Sequence, residues 1–268
     1  MAYGAAMPLS QVSLDELMID DEDSFAHVAL YGSLKKMLRR SGHRFLIPTG
    51  QKVASWDRTV FLNLTYWNAD QGADILCDRH LAADVVAHVA WHHAVSSQLS
   101  ATVGKAGAKS AAALFFAESI ASAFDLYLVG RLMNNAPDSE FIASQVPIMA
   151  EATEQAGLSS DSFASLLEDV VRDPERAFED LRALLVDVTA ALFRCSDALE
   201  AAAALESFDG HRFAPLLHHY QLSAWVLYAR AYGSAAEGAS ASDAIHQLDV
   251  GLRQAPVSLD WLEKHWIQ

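Results

Sequence analysis

Cysteine is scarce: two in 268 residues, Cys77 and Cys195, each inside an apolar stretch. A disulfide framework is thereby excluded as the source of stability, and two buried free thiols in a reducing, cytoplasmic compartment are the expectation. Basic side chains are also few, 19 against 34 acidic ones, for a formal net charge of -15. Surfaces that hold nucleic acid or anionic lipid work by concentrating Lys and Arg, so this balance argues against both. It suits a partner with a basic surface. No basic stretch followed by an apolar core opens the chain, and acids crowd positions 15 to 23 instead, which predicts no secretory leader. The most apolar run, Ala111 to Gly130, is interrupted by Glu118 and Asp125. An acid at a bilayer centre costs about 2.5 to 3.5 kcal/mol, so the run reads as a buried core helix without membrane insertion. Glycine-rich phosphate loops are missing: no P-loop and no GxGxxG after a strand is present, nor a GxSxG elbow.

The chain does hold apolar content, 52% of its residues, enough for a substantial core. Acids first and bases last mark the segment Leu14 to Arg40, the charge order that a helix dipole favours, with Gly42 as its stop. Short strands are expected at Phe45 to Ile47, at Thr59 to Trp67 and at Asp74 to Cys77. From His80 the pattern turns helical: Leu81 to Leu99, a glycine-punctuated loop at Thr102 to Gly107, then Ser110 to Met133. Further helices are expected at Glu140 to Gln155, Ser160 to Arg172, Pro174 to Ala204 and Ala214 to Ala231. A small-residue loop, Gly233 to Ser242, precedes a terminal helix. The fold class is therefore α+β, mainly α: a small N-terminal sheet packed on the helix that begins after His80, then a helical bundle. Residues 1–135 form the α+β region, and 136–268 a helical region packed on it or continuous with it.

Chemistry concentrates in DVVAHVAWHH, Asp84 to His93. His88 and His92 are four apart, so they share a helix face and their imidazoles can converge on one ion. Asp84, one turn earlier, can orient a ligating histidine as an outer carboxylate, and His80 extends the same ladder. Glu118 stands in an otherwise apolar run, where an unpaired carboxylate is costly or becomes protonated. A metal shared with His88 and His92 would justify it. Asp125 is seven residues on and shares the Glu118 face. The competing explanation is that Glu118 and Asp125 pair with basic neighbours such as Arg131 or Lys109. His27, His43, His211, His246 and His265 have no partner spacing.

Short strands, an HxxxH helix, then a second helix with ExxA resembles the gluzincin branch of the zincin metallopeptidases over roughly Thr59 to Met133. The resemblance implies zinc held by His88, His92 and Glu118, with Ala121 completing the second motif. It further implies that a later His or Tyr stabilises an oxyanion, for which His218, His219 and Tyr220 are the candidates. The family's general base comes directly after the first histidine, and Val89 stands there instead. Valine accepts no proton, and general base catalysis is worth roughly 10²–10⁴-fold. The resemblance therefore implies a pseudo-metallopeptidase, or a hydrolase with a non-standard base. Zinc is the first expectation for a His, His, Glu donor set, and Fe, Mn or Co also fit it. Two other readings compete: a helical non-haem di-iron protein using Asp84, His88, His92, Glu118, Asp125 and His218 or His219, and a metal-free helical interaction module with an acidic surface.

Overall fold

The computed structural model describes residues 9–48, 74–76, 78–217, 219–220, 222, 224, 226–227 and 238–268. Strand β1 (Leu9–Ser13) pairs antiparallel with β3 (Arg44–Pro48), and β3 pairs parallel with β4 (Asp74–Ile75). A second ribbon joins β2 (Met18–Asp20) to β5 (His80–Ala82) in parallel. The strands expected at Phe45 to Ile47 and Asp74 to Cys77 thus correspond to β3 and β4, whereas Thr59 to Trp67 lies outside the described residues.

The opening segment is not one helix. A capping box between Ser13 and Glu16 closes a 3₁₀ turn at Leu14–Glu16, β2 comes next, and a second 3₁₀ turn spans Glu22–His27. Asp21, with φ 56°, turns the chain between β2 and that second turn. Only Ala29–Arg40 is α-helical (α1); it buries Leu30, Tyr31, Leu34 and Leu38 on one face and carries Arg39 and Arg40 in its last turn, where the dipole favours them.

Strand β5 runs directly into α2, Ala83–Ala108, whose continuation corrects the loop expected at Thr102 to Gly107. That segment is helical except at Gly104, whose φ of 78° and ψ of 167° break the helix axis in a region open to glycine alone. Gly107 is buried with its Cα side against Val103 and Ala241, so packing holds the last turn in place. Ser110 then accepts a hydrogen bond from the Ala113 amide and starts α3, Ala111–Asn135. Such a short connection makes α2 and α3 antiparallel neighbours.

Helix α3 is long and apolar enough to cross a membrane, yet 78% of its most apolar window is buried within the protein. It packs against α2, α5 (Ser160–Arg172), α6 (Pro174–Leu192) and the late helix α8 (Gly238–Gln254). Its approach to the α5–α6 junction is close at Gly130, where a Cβ would stand 2.6 Å from the Val170 carbonyl oxygen. Helix α4 (Glu140–Gln155) and α5 start on Ser139 and Ser159, whose hydroxyls accept from Ile142 and Ser162 amides. The helix expected over Pro174 to Ala204 is two: α6 ends at Leu192, and Asp197 accepts from the Leu199 and Glu200 amides to start α7, Ala198–Glu206. Likewise Ala214–Leu216 is a 3₁₀ turn containing Pro215, a turn lies at His219 and Tyr220, and helical residues resume at Leu222. Helix α8 begins inside the loop expected at Gly233 to Ser242. Helix α9 (Ser258–Leu262) and a π turn at Glu263–Ile267 close the chain.

The architecture is mainly α with a small strand set at the N-terminal side, and one apolar cluster reaches from Val12 to Ile267 through both halves. Fully burying each Leu, Val or Phe in it contributes about 1.5–3 kcal/mol relative to exposure. Inside this core Arg182 is wholly buried, with Glu179 and Asp249 accepting from its guanidinium, which ties α6 to α8.

Candidate metal centre

Helices α2 and α3 face each other across the core, and the stripe where they meet carries the polar residues. His88 and His92, one turn apart on α2, bring their Nε2 atoms within 3.2 Å of one another. From α3, Glu118 Oε2 lies 3.0 Å from His92 Nε2, and its Oε1 lies 3.7 Å from His88 Nε2. Ligating atoms of the three residues all lie within 4.8 Å of one another. Donors held ~2.1 Å from a tetrahedral ion stand ~3.4 Å apart, by the geometry of the tetrahedron. The spacings of 3.2 Å between the two nitrogens and 3.0 Å from His92 Nε2 to Glu118 Oε2 lie near that edge, and the other glutamate oxygen, Oε1, is 3.7 Å from His88 Nε2. Two imidazoles and a carboxylate are also the donor types that borderline divalent metals take. The side chains are partly open, 20% exposed for His88, 15% for His92 and 34% for Glu118, so the cluster is reachable from solvent.

Two α3 side chains complete the stripe. Ser122, one turn after Glu118, donates to Glu118 Oε1 at 3.1 Å. Asp125 Oδ2 sits 3.3 Å from His88 Nδ1, the imidazole nitrogen opposite the converging one. Burial penalises the carboxylate of Glu118, but His88 and His92 outweigh it and hold the group well below the usual range. Burial likewise opposes charge on His88, and Glu118 and Asp125 overcome it, raising its affinity for a proton well above the ordinary value. Asp125, unlike Glu118, is shifted upward: burial raises it, and contact with His88 only partly offsets that.

The remaining candidates divide. Asp84 is half-buried and its carboxyl is pushed up to about 6, by burial first and by the charge of Asp125 second. The hydrogen bond of His88 Nδ1 runs to Asp125. His80 leaves the ladder and pairs with Asp20 Oδ1 at 2.9 Å across the β2–β5 ribbon. Val89 is 4% exposed within the core, and Ala121 is fully buried. His219 and Tyr220 pack on each other, ring centroids 4.9 Å apart; burial lowers His219 against the charge of Asp125, and burial with the charges of Asp125 and Glu118 raises the Tyr220 phenol. His218 lies outside the described residues.

Arg131 does not neutralise Glu118 or Asp125. It turns away to Glu175 and, at 3.1 Å, to the Tyr127 hydroxyl, while Lys109 is exposed at the end of α2. Two further contacts are not among those expected from the sequence. The Ser122 to Glu118 bond has a signal there, its four-residue spacing on one helix. The ring contact of His43 with His93, centroids 5.9 Å apart, joins β3's approach to α2 and has no signal in spacing. Cys195 is a buried thiol that donates to the Ala191 carbonyl oxygen, and Cys77 lies outside the described residues. No family model, no curated protein and no solved structure matches the chain.

Proposed function

We propose that this chain is a divalent-metal-binding protein whose ion is held by His88, His92 and Glu118, with zinc the first choice and iron, manganese or cobalt compatible with the same donors. The observation that carries this reading is the convergence of His88, His92 and Glu118 from two helices, with one ligating atom of each within 4.8 Å of the others and the two imidazole nitrogens 3.2 Å apart. The arrangement supports a zincin-like site, helix α2 supplying the paired histidines and α3 the glutamate. A bound ion would supply Lewis acidity and lower the pKa of a coordinated water. The protein's own residues limit the use of that chemistry. Val89 occupies the position of the family's proton acceptor and is enclosed by core, so efficient peptide hydrolysis by that route is not available. A pseudo-metallopeptidase, or a hydrolase drawing its base from elsewhere, is the function that fits. His219 and Tyr220 stand near enough to feel the charges of Asp125 and Glu118, and a role there in binding a polar substrate oxygen is consistent with the placement. The buried Cys195 thiol suits a reducing, cytoplasmic setting, and the net charge of -15 suits a basic protein partner.

Titration calorimetry with zinc on protein purified without a histidine tag tests the site. About one ion is expected to bind per chain, with binding abolished in His92→Ala. Heat indistinguishable from dilution in the wild type would leave a metal-free helical interaction module as the function. Binding of about two ions would favour the di-iron type of site instead.

A further inference from the structure

Two carboxylates besides Glu118 lie along the α2–α3 stripe, and the structure separates them. Asp84 is on α2, four residues before His88, and the hydrogen bond of His88 Nδ1 does not run to it. Asp125 comes from the opposite helix and sits 3.3 Å from His88 Nδ1. On the other side of the same ring, Nε2 points to His92 Nε2 at 3.2 Å and to Glu118. A neutral imidazole carries one proton, and whichever nitrogen donates leaves the other with its lone pair. A carboxylate accepts and does not donate, so Asp125 stabilises the tautomer with the proton on Nδ1. That tautomer presents the Nε2 lone pair to the place where Glu118 and His92 converge.

We infer that Asp125, rather than Asp84, is the positioning residue of this site, fixing the ring plane and tautomer of His88 so that Nε2 is the ligating atom. The inference rests on the metal reading above and deepens it. Helix α3 then works as one stripe: Glu118 ligates, Ser122 one turn later fixes the glutamate through Oε1 at 3.1 Å, and Asp125 two turns later fixes the histidine across the interface. Carboxylate-to-histidine contacts of this kind typically change metal affinity by about 10–100-fold when removed.

Zinc affinity measured by competition with a chromophoric chelator, on wild type, Asp125→Asn and Asp84→Asn, provides the test. Asp125→Asn is expected to weaken zinc binding by about 10–100-fold, and Asp84→Asn by less than about threefold. The wild type carries a second readout that needs no variant: nitrogen-15 spectra of cadmium-loaded protein should show cadmium coupled to His88 Nε2 and a proton on Nδ1. An Asp125→Asn affinity within about twofold of wild type, an equal loss in Asp84→Asn, or cadmium coupled to His88 Nδ1 would each overturn the role of Asp125 while leaving the metal site standing. Wild-type protein that binds neither zinc nor cadmium would overturn the metal reading itself, and with it this inference.

Discussion

His92 Nε2 and Glu118 Oε2 stand 3.0 Å apart although they belong to different helices, on a polar stripe within a largely apolar core. Polar groups are costly there unless each finds a partner. These do, and the partners form a chain from Ser122 through Glu118, His92 and His88 to Asp125. In the absence of an ion, at least one of the two facing imidazole nitrogens has to carry a proton, because two lone pairs 3.2 Å apart repel. An ion of charge +2 replaces that proton and satisfies three groups at once, so binding should release protons and weaken in acid.

Such an ion also cross-links α2 to α3, so it should stabilise the whole fold. Free zinc at about 100 times its dissociation constant adds ~2.7 kcal/mol, which raises the melting temperature by roughly 5–10 °C for a chain of this size. Scanning fluorimetry with zinc, with zinc plus chelator, and on Glu118→Ala separates site binding from unspecific effects. The increase should vanish in both of the latter.

A second pH-sensitive contact lies outside the cluster. Asp20 accepts from His80 Nδ1 and raises the histidine's proton affinity above its ordinary value of about 6.5. The folded-state value exceeds the unfolded one, so the pair contributes fully below the unfolded value and is lost as pH rises through the folded one. Proton NMR should place the His80 midpoint above that of His80 in Asp20→Asn. Equal midpoints in the two proteins would contradict the ribbon contact.

Glycine positions test the packing of α3. A Cβ at Gly130 would meet the Val170 oxygen at 2.6 Å, so Gly130→Ala should cost about 1–3 kcal/mol in urea denaturation. In α1, a Cβ at Gly32 meets nothing within 4 Å, and Gly32→Ala should gain about 0.5–1 kcal/mol from helix propensity.

Placing a carboxylate after the first histidine does not simply restore a proton acceptor. Val89 is 4% exposed, and Val89→Glu puts an acid into apolar surroundings. A loss of roughly 2–4 kcal/mol in stability is expected, read by the same denaturation, before any gain in hydrolysis.

Much of this is legible in the chain, for identifiable reasons. Helices α4, α5 and α6 announce themselves through Ser139, Ser159 and Asp173, side chains that accept from their own first-turn amides. His88 and His92 meet because a four-residue step returns to the same helix face, and Glu118 stands out as a carboxylate without local reason. The extension of α2 past Thr102 is hidden, because glycine costs about 1 kcal/mol in a helix and the late helix α8 that packs on α2 comes from a distant part of the chain. The break between α6 and α7 is hidden by continuous helical propensity through Phe193, with Asp197 as its only local sign. The preference of His88 for Asp125 over Asp84 depends on how two distant segments approach, which no spacing within one helix encodes.

Elemental analysis of protein purified without a histidine tag, wild type beside Glu118→Ala and His88→Ala, bears most directly on the metal centre. About one divalent ion per wild-type chain, and almost none in either variant, is the expected result. Wild-type protein that holds no metal even after incubation with zinc, or variants that retain it in full, would contradict a site built from His88, His92 and Glu118.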